Sequence, residues 1–177
     1  VASLGGLLYF AWNHLLISYQ KNRILTLFNP ESDPLGSGYH ILQSKIAIGS
    51  GGLTGKGITH GSQSRLDFVP EQSTDFIFSV LAEEMGFVGF ILLLSIYTLM
   101  IYRCFNLSLR CEDNFSRLLG ASLTFVLFTY IFVNMGMVSG LLPVVGIPLP
   151  LISYGGSSLM TLMASFGIIM SIHKHKS

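Results

Sequence analysis

Residues 118–172 read LLGASLTFVLFTYIFVNMGMVSGLLPVVGIPLPLISYGGSSLMTLMASFGIIMSI, without one charged side chain. A helix crosses the hydrocarbon core of a bilayer with roughly 20 apolar residues, so this stretch holds two crossings. Gly140, Pro143, Gly146, Pro148 and Pro150 punctuate it in the middle, and proline and glycine end helices. Spans over 118–142 and 151–172 follow, joined by an outer loop over 143–150. A spanning segment must satisfy its own backbone groups, which favours helix over open sheet.

Working outward, a further span covers 76–102, with an uncharged centre from Met85 to Ile101, and another covers 1–20. The whole chain of 177 residues is 50% hydrophobic and only 11% charged, against about 25% charged in ordinary soluble domains. The fold class expected is all-α: a polytopic membrane protein of about four transmembrane helices with a long extracytoplasmic loop over 21–75. Val1 opens directly on apolar residues without the basic n-region of a signal peptide, so the chain reads as cut inside or just before a helix. A net charge of +1 gives no electrostatic case for nucleic acid. Two cysteines make no disulfide framework, and no Cys/His grouping has zinc spacing. His173 and His175 form an isolated pair in a basic tail.

Arg103, Arg110 and Arg117 fall in the 103–117 loop, and Lys174 and Lys176 in the 173–177 tail. Two crossings separate these basic clusters, so they share a face, which the positive-inside rule makes cytoplasmic. The 21–75 loop is then extracytoplasmic. Within it Tyr39, Leu42 and Ile46 recur at helical spacing, suiting a short helix on a membrane surface or in a groove. Gly55-Lys56 matches part of a phosphate loop, but Ser50 and Gly57 occupy positions that need Gly and Ser/Thr, so an ATP site is rejected.

The chemistry-bearing stretch is Arg65-Leu-Asp-Phe-Val-Pro-Glu-Gln-Ser-Thr-Asp75. Asp67, Glu71 and Asp75 recur every four residues, though Pro70 interrupts any single helix. Thr74 and Asp75 stand where a capping side chain would open the next helix. Asp75 equally stands at the outer mouth of a helix bundle, where partial desolvation would tune a carboxyl for proton transfer. Both readings remain open on the residues alone. Glu83 and Glu84 either line a polar interior or pair with loop cations, because ionisable groups within a span are costly. Lys45, Lys56 and Arg65 suit an anionic group such as a pyrophosphate, or simply solvent and lipid headgroups. Gly155, Gly156, Ser157 and Ser158 permit close helix packing.

Two segments carry a resemblance: Tyr39-His-Ile-Leu-Gln-Ser-Lys-Ile-Ala-Ile-Gly-Ser-Gly-Gly-Leu-Thr-Gly-Lys-Gly57 with Leu66 to Gly86, and Pro143 to Ser158. Together they resemble the SEDS family of shape, elongation, division and sporulation proteins, over most of the chain from about Asn29. Val144-Val145 stands where division members carry Thr-Lys, which points to the elongation branch. The resemblance implies the carboxyl-terminal part of a peptidoglycan glycosyltransferase that polymerises lipid II at the periplasmic face of the bacterial inner membrane. It places the catalytic carboxylate at Asp75, as general base toward an acceptor sugar hydroxyl, with Lys45, Arg65, Glu71, Ser153 and Tyr154 as substrate-binding candidates. It implies a class B penicillin-binding transpeptidase, other elongation-complex membrane proteins and membrane lipids as partners. No cofactor is fixed by it, and a divalent cation stays an open addition. Ser73 departs from the family's usual His before Thr-Asp, and about six further spans are expected upstream. A lipid II translocator and a non-catalytic scaffold for a transpeptidase are the alternatives.

Overall fold

The computed structural model describes residues 17–30, 33, 36–57 and 74–174, and among these every regular element is a helix. They are α1 (Ser18–Phe28), α2 (Ser37–Gly51), α3 (Ile77–Leu109), α4 (Asn114–Val138) and α5 (Gly156–Lys174). The last three are long and apolar enough to cross a membrane. The expected span over 1–20 lies almost wholly outside the described residues.

The basic unit is an antiparallel hairpin of α3 and α4. Asp113 caps α4 by accepting a hydrogen bond from the Ser116 amide at 3.0 Å, which satisfies one of the helix's orphan donors. On α4 the buried positions Gly120, Thr124, Leu127, Ile131, Asn134 and Val138 alternate steps of four and three. That is one stripe of an α-helix. It packs on Leu93 and Tyr97 of α3. Large apolar side chains such as Leu99 and Phe125 are 67% exposed on the opposite faces. A soluble bundle would turn polar residues outward there, whereas a lipid-facing helix does not.

The sequence suggests one uninterrupted span over 76–102. The structure instead breaks α3 at Gly86, whose φ of 64° and ψ of −156° lie outside any helix. The Phe78 and Phe90 rings sit 5.9 Å apart, although twelve residues of straight helix would separate them by about 18 Å. The 77–85 half therefore folds back beside the following turns. Loop 52–57 docks into the break: Lys56 and Gly57 amides donate to the Glu83 and Glu84 carbonyls, and Phe87 and Val88 amides donate to Gly52 and Leu53. Irregular backbone is tolerated at such a place because these bonds give partners to amides and carbonyls that the break would otherwise free.

Helix α2 lies across this assembly. It buries Ile41, Ser44, Ala47 and Gly51, and the Ser44 hydroxyl donates to the Val138 carbonyl at 2.9 Å. Leu42 and Ile46, from the apolar set noted in the sequence, are exposed on its other side.

Candidate functional site

Asp75 sits in the turn that leads into the folded-back half of α3, and is half-buried. The helix cap falls on Phe76 and carries no side-chain capping bond, so the capping role open to Thr74 and Asp75 is not at the cap position. Two side chains instead grip the backbone of this turn. The Asn134 amide nitrogen of α4 donates to the Asp75 carbonyl at 2.9 Å and to the Ile147 carbonyl at 2.7 Å. The Ser153 hydroxyl donates to the Thr74 carbonyl at 2.6 Å and accepts from the Leu149 amide at 2.7 Å. The turn and the 139–155 loop are thus tied at two points.

Beneath the carboxyl lies Gly146, in the left-handed region at φ 77°. A methyl group there would stand 3.2 Å from the Asp75 Oδ2. Only glycine takes this backbone without strain while leaving the carboxylate its space. At the other end of the loop, the exposed Lys45 stem crosses Gly140, with Nζ 2.6 Å from where a Cβ would be. One loop therefore carries a carboxylate over Gly146 and an ammonium over Gly140. Tyr97 of α3 donates to the Pro150 carbonyl at 2.6 Å, which anchors the loop within the bundle.

Of the other candidates, Arg65 and Glu71 lie outside the described residues, as does Ser73. Tyr154 is 82% exposed. Glu83 is fully buried and pairs with the Lys56 Nζ at 2.8 Å, which favours loop pairing over a polar lining. A cation outside the candidate set is Arg23 of α1. Its guanidinium donates to the Val144 carbonyl and the Tyr19 hydroxyl and sits 4.4 Å from the Tyr19 ring centroid. Asn134, the lone amide side chain among the serines and threonines of a charge-free span, carries no signal in its spacing. Between α4, α5 and the loop opens a largely apolar cavity of 430 Å³, bordered by Gly146, Pro148, Ser153, Tyr130, Thr161 and Phe166. Among the described residues no group of three or more His, Cys, Asp or Glu stands close enough to hold a metal.

Asn134 is twenty residues, roughly 30 Å of helix, from the α4 start and its 110–113 connection. The carboxylate and its loop thus occupy the end of the bundle opposite the arginine-bearing turn. The fold and this arrangement define a class: a polytopic, all-helical membrane protein with a polar site at one end, in the turn that leads into a broken helix. The family model described as cell cycle protein, which groups FtsW, RodA and SpoVE, matches residues 1–177. The chain belongs to that family, the SEDS proteins. It is similar to the peptidoglycan glycosyltransferase MrdB of Escherichia coli K12, 60% identical over 165 residues, covering 93% of this chain and 45% of that protein. The peptidoglycan glycosyltransferase RodA of Treponema pallidum is 45% identical over 159 residues, covering 90% of this chain and 37% of that one. In a solved peptidoglycan synthase complex that coordinates polymerisation and crosslinking, a chain superposes with TM-score 0.77 at 35% identity. That match covers 98% of this chain and 47% of the other. The chain spans less than half the length of these relatives.

Proposed function

We propose that this chain is the carboxyl-terminal part of a peptidoglycan glycosyltransferase that polymerises lipid II into glycan strands during cell elongation. The observation that carries the reading is the clamped turn at Asp75, which holds one carboxylate over Gly146 at the mouth of a lipid-facing bundle. Asp75 acts as general base. It takes the proton of the acceptor GlcNAc 4-hydroxyl, and that oxygen attacks the anomeric carbon of the donor MurNAc. The bond to the pyrophosphate breaks, and undecaprenyl pyrophosphate leaves with the electron pair, with inversion at carbon. The leaving group gathers negative charge near low-dielectric surroundings, where a positioned cation stabilises the transition state best. Lys45 supplies that cation, with Arg65 as a second.

The apolar cavity beside Gly146 and Ser153 suits the start of a polyprenyl chain. The site faces the periplasm, since the arginine-bearing turn at the opposite end belongs with the cytoplasm. The relation to a complex coordinating polymerisation and crosslinking supports a class B penicillin-binding transpeptidase as partner.

The test places purified full-length protein in vesicles with fluorescent lipid II. Glycan strands should accumulate. Headgroups crossing the bilayer without polymer would mark a translocator instead, and neither product would leave the scaffold reading.

A further inference from the structure

Asn134 is completely buried in α4, and its Oδ1 has no hydrogen-bond partner among the described residues. An unmet acceptor in an apolar interior is a standing cost that a leucine of similar size would not carry. Its nitrogen, by contrast, is fully used. One hydrogen goes to the Asp75 carbonyl and the other to the Ile147 carbonyl. These carbonyls belong to segments over seventy residues apart, and each is adjacent to a residue that shapes the site, since Ile147 follows the Gly146 beneath the Asp75 carboxylate. No hydroxyl could do this, because it has a single hydrogen to give. We infer that Asn134 is a positioning residue, whose amide fixes the Asp75 turn and the last loop in one register so that the carboxylate meets the acceptor hydroxyl. This rests on the reading of Asp75 as general base and deepens it.

Misplacement of a reacting group by about 1 Å costs on the order of 100-fold in turnover. The experiment compares full-length parent, Asn134→Leu, Asn134→Thr and Asp75→Asn in vesicles, measuring kcat and KM for lipid II polymerisation. Asn134→Leu keeps the volume and loses both donors. Its kcat should fall about 100-fold, with KM held within about twofold because the substrate surfaces are untouched. Asn134→Thr retains one donor and should recover part of the loss. Where the leucine variant does not fold, the threonine variant decides: reduced kcat at parental KM supports the assignment, and parental kcat overturns it. A fall in kcat matched by a proportionate rise in KM, or equal defects in both variants, marks a purely structural residue and overturns it too. A dead Asp75→Asn beside a parental Asn134→Leu removes this inference alone, whereas a parental Asp75→Asn removes the base assignment beneath it.

Discussion

Replacing Gly86 with alanine should undo the fold-back that brings Asp75 to its place. The φ of 64° and ψ of −156° form a combination that only glycine adopts freely. Forcing a side chain into it costs about 1–3 kcal/mol. The added Cβ would also lie 2.3 Å from the Gly55 amide nitrogen and 2.9 Å from the Leu53 carbonyl. Both are backbone atoms, so no flexible side chain can swing away. Relief requires loop 52–57 to retreat, and that loop is held by the four backbone bonds between 52–57 and 83–88. Losing two of them at roughly 1 kcal/mol each brings the total to about 3–5 kcal/mol. Thermal melting of the full-length protein in detergent should fall on the order of 10 °C, with loss of lipid II polymerisation. Gly167→Ala serves as control, because a Cβ there meets nothing within 4 Å; it should melt at or slightly above the parental temperature. A Gly86→Ala protein that melts and polymerises like the parent would refute the fold-back as the device that places Asp75.

Gly146→Ala should cost about 1–2 kcal/mol from its positive φ, and polymerisation should fall further than stability because the new methyl crowds the Asp75 Oδ2; melting and kcat measured together separate the two. Lys56→Met leaves the buried Glu83 carboxylate without its ammonium partner and should destabilise by roughly 2–3 kcal/mol, tempered because Lys56 keeps some exposure. Adding Glu83→Gln to it should restore much of the loss in a denaturation assay. Hydrogen bonds from the Ser116 amide and hydroxyl hold the Asp113 carboxyl below its ordinary range. The cap's contribution is therefore complete above that range and fades as pH falls through it. The melting gap between parent and Asp113→Ala should be constant above about pH 5 and narrow below about pH 4.

The apolar runs were legible because a bilayer demands a length of uncharged residues and little else. The charge-free stretch accordingly holds most of α4 (Asn114–Val138) and α5 (Gly156–Lys174), though the segment between these helices is longer than the 143–150 expected from its prolines and glycines. The break at Gly86 was not legible. A glycine inside an apolar run of this kind reads the same whether the helix continues or turns back, and only the docking of loop 52–57 decides it. Glu83 carried a warning, since a carboxylate inside a span needs a partner, but nothing in the spacing singled out Lys56, twenty-seven residues upstream. Asp75 entered through its motif and its place at a helix mouth. Its supports did not, because Asn134 and Ser153 act on backbone carbonyls of distant segments, and such bonds leave no periodic trace. Ser153, a substrate-binding candidate by motif, also bridges Thr74 and Leu149 through its hydroxyl.

The measurement closest to the centre of this account is the rate of lipid II polymerisation by full-length protein carrying Asp75→Asn, beside Asp75→Glu and the parent. The amide is nearly the same size but takes up no proton, so kcat should drop at least about 100-fold, as expected for loss of a general base. The glutamate variant, with a displaced but basic carboxylate, should keep a fraction of the rate. Strand synthesis by Asp75→Asn at the parental rate would contradict the account.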